Sequence, residues 1–178
     1  MKHKNKLKYS NNMTRVAKDV FAVYDRLEKA FDVANISKSN TCQYWAILGK
    51  SELDHQYETS IMKGSLTAEN KKTGEKVQFE TQGEEHYVNL IYNEKTSEYY
   101  LIDFGSQYYQ TINGVVSLSR TPIVFRLDKS QNEPRIFKME DDNIKYRFYI
   151  EEYVDEAILT DTCYYELNKL KNCLKSKH

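Results

Sequence analysis

From Met13 to Ala34 the apolar positions Val16, Val20, Tyr24, Leu27, Phe31 and Ala34 recur at spacings of 4, 4, 3, 4 and 3. That stripe predicts one amphipathic helix. The polar run Asn35 to Asn40 interrupts it. Ser39 or Asn40 then offers an N-cap to a second helix carrying Cys42, Tyr44, Trp45, Ala46 and Leu48, with Gly49 placed to weaken or end it. Beyond Leu53 the chain turns polar, and strands are expected at Ile61 to Thr67 and Lys76 to Thr81, on either side of the turn-like Asn70 to Gly74.

The strongest β pattern follows. His86 to Tyr92 (HYVNLIY) and Ser97 to Phe104 (SEYYLIDF) are rich in aromatic and β-branched residues, and the polar Asn93 to Thr96 between them predicts a hairpin. Further strands are expected at Tyr108 to Ile112, Val115 to Leu118, Pro122 to Leu127, Arg135 to Met139 and Ile144 to Glu151, with turns at Asn113-Gly114 and Asp141 to Asn143. A last helix, about Thr160 to Leu174, carries Cys163, Leu167, Leu170 and Leu174 on one face. Helices, then a run of antiparallel strands, then a helix define an α+β fold. With no repeat and no Pro- or Gly/Ser-rich linker, residues 13–178 read as one such domain behind a solvated basic arm, residues 1–12.

Composition narrows the function classes. Lys plus Arg and Asp plus Glu both total 26, so no basic excess marks a nucleic-acid or acidic-membrane surface. No apolar run approaches the roughly 20 residues that span a bilayer. The basic start MKHKNKLK is not followed by an apolar core, so the expected location is the cytoplasm, or outside the cell by a route without a Sec signal. Cys42, Cys163 and Cys173 are too few and too unevenly spaced for a disulfide framework or a zinc site, and reduced thiols are expected. The 15 tyrosines fall largely on predicted strands, where aromatic residues are favoured, and read as sheet packing.

Cys42 is the candidate nucleophile because the start of a helix, with its open N–H groups and positive dipole end, favours thiolate over thiol. Cys163 and Cys173 read as small core or surface residues. His3 and His178 lie in terminal segments, which leaves His55 or His86 as the base. If the hairpin loop is even and centred between Glu94 and Lys95, Leu90 faces Tyr99, Val88 faces Leu101 and His86 faces Asp103. A facing pair shares one side of the sheet at about 4.5–5.5 Å between Cβ atoms, close enough for a carboxylate to hold an imidazole. Glu84-Glu85-His86 does not read as a metal site, since neighbours on a strand point to opposite faces.

A Cys at a helix start, a His on one strand and an Asp on the next follow the chain order of the papain-like cysteine enzymes. The segment Asn40-Thr41-Cys42-Gln43-Tyr44-Trp45 followed by HYVNLIYNEKTSEYYLIDFGS resembles the transglutaminase-like branch and the arylamine N-acetyltransferases, with Asp103-Phe104-Gly105 ending the second strand. Papain's oxyanion glutamine has no counterpart before Cys42, and the Arg-Gly-Gly run of the acetyltransferases is missing, so no coenzyme A dependence and no other cofactor or metal is expected. The resemblance implies a papain-like layout with the nucleophile's helix packed on an antiparallel sheet. It also implies a Cys42, His86, Asp103 triad acting on a protein or peptide amide through a thioester, as a peptidase or a glutamine deamidase or transamidase. Bacterial toxins and effectors of this kind set the expected context. Asn40 or Gln43 are the nearest side-chain donors for an oxyanion hole beside the Cys42 N–H. Gln107 is the alternative orienting group, in a place some toxin-like relatives fill with Gln. The competing reading is a non-enzymatic adaptor or immunity-type interaction domain with an inert Cys42.

Overall fold

Periodicity and burial agree along the first helix, α1 (Asn11–Ala34): Val16, Val20, Tyr24, Leu27, Phe31 and Ala34 are all buried. The computed structural model describes residues 11–79, 85–127 and 135–175, and α1 begins inside the segment expected as an arm, of which residues 1–10 lie outside the described residues. Helix α2 (Cys42–Leu53) runs straight through Gly49. A Cβ at Gly49 would stand 2.4 Å from Phe104 Cε2 and 2.7 Å from Asn89 Oδ1, so this glycine marks where the helix lies directly on two strands rather than where it stops.

Nine strands follow among the described residues: β1 (Glu58–Asn70), β2 (Lys76–Phe79), β3 (His86–Asn93), β4 (Glu98–Asp103), β5 (Tyr109–Thr111), β6 (Gly114–Val116), β7 (Ile123–Arg126), β8 (Ile136–Glu140) and β9 (Ile144–Val154). Seven form one sheet in the order β7-β4-β3-β1-β9-β8, with β2 also pairing β1, and β5-β6 make a separate hairpin. All pairs are antiparallel, which with the helices confirms the expected α+β class. The tail of Lys76 to Thr81, like Glu84, falls outside the described residues.

The last helix is two: α3 (Glu156–Thr162), capped by Asp155 accepting from the Ala157 N–H at 2.9 Å, and α4 (Tyr164–Lys175). Cys163 leaves helical geometry at φ −122° and ψ 15°, and its N–H bonds Thr160 O, which tightens and ends the first segment. The predicted stripe survives the break, since Leu167 and Leu170 are fully buried.

Strand alternation separates two cores. Ile61, Ile91, Tyr100 and Ile102 face the helices, where they meet Leu27, Phe31, Leu48 and Leu167. Met62, Leu66, Val88, Leu90, Leu101 and Phe148 face the other way and are covered in part by Tyr109 and Val116 of the β5-β6 hairpin. At about 1.5–3 kcal/mol for each large side chain removed from water, these two layers supply the main stabilisation of the sheet. They also bury both faces of β4 from Tyr100 to Asp103. Where β9 bulges opposite Lys63 and Gly64, a Cβ at Gly64 would lie 1.9 Å from Tyr149 O, so only glycine fits there.

The β3-β4 hairpin keeps a four-residue loop but places it one residue later than expected, at Glu94 to Ser97, with Ser97 at φ 54°. Leu90 therefore faces Leu101 rather than Tyr99, and Tyr92 faces Tyr99, a slip of two residues from the expected register. Carried one step further, the ladder puts Val88, not His86, opposite Asp103. Because a shift of two preserves side-chain parity, His86 and Asp103 still point to the same face, as diagonal neighbours about 7–8 Å apart along the sheet.

Candidate active site

His86 is the first residue of β3 and Asp103 the last of β4, so the antiparallel pairing brings both to one end of the sheet. Their side chains close the diagonal: His86 Nε2 meets Asp103 Oδ2 at 2.6 Å, with the two residues 2% and 1% exposed. The ring is fixed by Phe79, which stacks on it at 5.5 Å between centroids, and by Tyr109 and Phe148, which meet it edge-on.

The carboxylate is surrounded by donors. Besides the imidazole, Oδ2 accepts from the Tyr109 hydroxyl at 2.6 Å and the Tyr146 hydroxyl at 2.9 Å, while Oδ1 accepts from the Gly105 N–H at 3.2 Å. Burial and the adjacent Asp103 charge push both phenols well above their ordinary range, so they stay protonated and can only donate to it.

Helix α2 delivers the sulfur. Asn89 in β3 donates through Nδ2 to Ala46 O at 2.9 Å and Ser60 O at 3.3 Å, which ties the middle of α2 to the sheet and sets the helix's N-terminal end beside His86. Cys42, the first residue of α2, is half-buried and lines the same cleft as His86. With Nε2 committed to Asp103, the nitrogen left for the sulfur is Nδ1. Burial alone would lower the imidazole pKa. The Asp103 charge and hydrogen bond, and after them Cys42, outweigh it and push His86 up to about 10. The N-terminus of α2 carries no acidic residue in its first turn and no side-chain cap, since the Thr41 hydroxyl donates to Ser37 O instead. The positive end of the helix dipole is therefore left to whatever lies beside Cys42. Neither Ser39 nor Asn40 is the N-cap; Asn40 takes the left-handed conformation at φ 57° that turns the chain into the helix.

A cleft of about 900 Å³ opens at this end, with Cys42 and His86 in its wall and Asn40, Gln43, Trp45 and Tyr109 around them. Trp45 anchors the floor, stacked on Phe31 at 4.4 Å and donating from Nε1 to Lys38 O. The expected site residues divide clearly. Cys42, His86 and Asp103 come together. Asn40 and Gln43 line the cleft beside the sulfur, but the Gln43 amide is already engaged, its Oε1 accepting from Cys163 Sγ at 3.4 Å and the side chain hydrogen-bonding Tyr87. Gln107 is not with them: its Oε1 accepts from Tyr24 on α1 at 2.8 Å, and Asp103 is the group on the ring. His55 is exposed beyond the far end of α2, roughly 18 Å from Cys42 along the helix axis.

Three further residues serve the site without any pattern in the sequence that singles them out: Asn89, Tyr109 and Tyr146. A buried tyrosine needs a partner for its hydroxyl, which is the one cue the two phenols gave. Among the described residues no group of three or more His, Cys, Asp or Glu is arranged to hold a metal ion, and no helix is long and apolar enough to cross a membrane. The chain matches no protein-family model, no curated protein and no solved structure.

Proposed function

We propose that this chain is a cysteine-dependent acyl-transfer enzyme, papain-like or transglutaminase-like in its chemistry, that attacks a protein or peptide amide. The Cys42 sulfur, as thiolate beside the His86 imidazolium, adds to the carbonyl carbon, and the electron pair of the C=O bond moves onto oxygen. That oxyanion forms beside the N-terminus of α2, where the Cys42 N–H and the Asn40 side chain, which lines the cleft, are the candidate donors. Collapse re-forms the C=O bond and breaks the C–N bond, while His86 gives its proton to the departing amine, leaving a thioester on Cys42. Water then gives up a proton to the neutral imidazole and displaces the sulfur, releasing a carboxylic acid. An amine in its place gives transamidation.

The observation that supports this reading is one geometry: an imidazole held at 2.6 Å by a buried carboxylate, with a cysteine at an uncapped helix start lining the same cleft beside it. A merely structural Cys42 has no need of such a partner. Iodoacetamide near neutral pH should alkylate Cys42 well ahead of Cys163 and Cys173, and Cys42→Ala should abolish turnover while circular dichroism stays unchanged. Equal, slow labelling of all three thiols would sink the proposal and leave an interaction domain. Mass spectrometry of a treated proteome separates the two reaction outcomes, new chain termini for a peptidase and glutamine-to-glutamate conversion for a deamidase.

A further inference from the structure

Asp103 Oδ2 receives three donors at once, His86 Nε2 at 2.6 Å, Tyr109 at 2.6 Å and Tyr146 at 2.9 Å. We infer that Tyr109 and Tyr146 are positioning residues that hold the Asp103 side chain in place and restrain how strongly it grips the His86 proton. The inference rests on the proposed function for what the imidazole is used to do, but not for how it titrates.

Three features of the arrangement carry it. Each phenol can only donate here, so three donors converge on Oδ2. Each hydroxyl also turns its positive hydrogen end toward the oxygen that the ring shares, which disfavours a charged imidazolium beside it. Without these dipoles the carboxylate's charge would act on His86 undivided, and the ring would release its proton less readily to a leaving amine. The two phenols come from different supports. Tyr146 sits on β9, paired to β1 on one side and β8 on the other. Tyr109 sits on the two-stranded β5-β6 hairpin, lines the cleft, and packs edge-on against both Phe79 and His86. Two anchors from separate elements fix the carboxylate against rotation more firmly than either alone.

Among the described residues, the titratable groups facing the ring are Asp103 from β4, Cys42 from α2 and Tyr109 from β5, with Tyr146 from β9 acting through Asp103, while Phe79 and Phe148 supply uncharged walls. Tyrosine to phenylalanine removes one oxygen and keeps the ring, so the test is direct. In protein labelled with ¹³C-histidine, the Cε1–H signal of His86, assigned by its absence in His86→Gln, is followed from neutral pH to about pH 11. Tyr109→Phe and Tyr146→Phe should each raise the titration midpoint, and the double variant should raise it further. An unchanged or lowered midpoint in both single variants overturns the inference, and either single variant suffices if the double does not fold. Selective alkylation of wild-type Cys42 is read separately. If the midpoints rise but Cys42 is not selectively labelled, the inferred role toward His86 stands and the enzyme reading fails.

Discussion

Replacing Asp103 by asparagine keeps the shape of the side chain and removes its charge, which isolates what the carboxylate contributes. If the amide oxygen takes the Oδ2 place, the contacts to His86, Tyr109 and Tyr146 turn from charge-assisted bonds of about 1.5–3 kcal/mol into neutral ones of about 0.5–1.5 kcal/mol, a loss of about 1 kcal/mol each. The amide nitrogen then points at the Gly105 N–H, donor against donor, where a 3.2 Å bond stood. If the amide is flipped, the same conflict falls on three donors instead of one, so the first orientation is adopted. The expected cost is about 3–4 kcal/mol, well inside the roughly 9–27 kcal/mol of a chain this long, so the fold persists. At about 2–4 °C per kcal/mol, the melting temperature should fall by roughly 6–16 °C. Chemistry should change more sharply. Without the carboxylate, only Cys42 still opposes burial, so the His86 pKa falls steeply from about 10 and the imidazolium facing Cys42 is depleted near neutral pH. Iodoacetamide labelling of Cys42 at pH 7 should slow by at least about tenfold, given that one pKa unit is a tenfold change in population, with Cys163 and Cys173 as internal controls. Wild-type melting together with wild-type Cys42 labelling in Asp103→Asn would refute the reasoning.

Three further outcomes follow from the same geometry. Since His86 binds its proton more tightly in the folded protein, at about 10 against 6.5, the stability it adds is complete below about pH 6.5, fades as pH rises and is gone above about pH 10. The difference in melting temperature between wild type and His86→Gln should follow that curve, and a difference that grows with pH would contradict it. Gly49→Ala sets two effects against each other. Helix propensity favours alanine by about 1 kcal/mol, but the added Cβ meets the buried Phe104 ring at 2.4 Å, and overpacking of about 1–3 kcal/mol should win. Chemical denaturation decides the sign, and a stabilised variant would mean that the helix does not lie on the strands as described. Asn89→Ala removes the bond that ties α2 to the sheet at Ala46 O, together with the one to Ser60 O of β1, and should cost about 1–3 kcal/mol. It should also slow Cys42 alkylation, because the sulfur's place beside the ring depends on where α2 is held, and unchanged labelling would show that α2 is positioned by its apolar face alone.

What the sequence determined by itself was local: the stripe of α1, the existence and approximate bounds of the strands, the α+β class, and the choice of Cys42, His86 and Asp103 as residues whose types and order suit acyl transfer. Each follows from a repeat of 3.6 or 2, or from chemistry that a side chain carries wherever it stands. Even the misplaced hairpin register left the candidate pair intact, because a slip of two conserves which face a side chain occupies. Only the tertiary structure could decide what depends on distant chain segments meeting. Gly49 looks like a helix stop until Phe104 and Asn89 are seen to require its missing Cβ. Gln107 stood as an alternative partner for the ring until α1 supplied Tyr24 to its amide oxygen. Tyr109 and Tyr146 read as ordinary sheet aromatics until β5 and β9, 37 positions apart in these two residues, converged on one carboxylate oxygen. Such contacts leave no periodic trace, since they arise from the path of the fold and not from spacing along the chain.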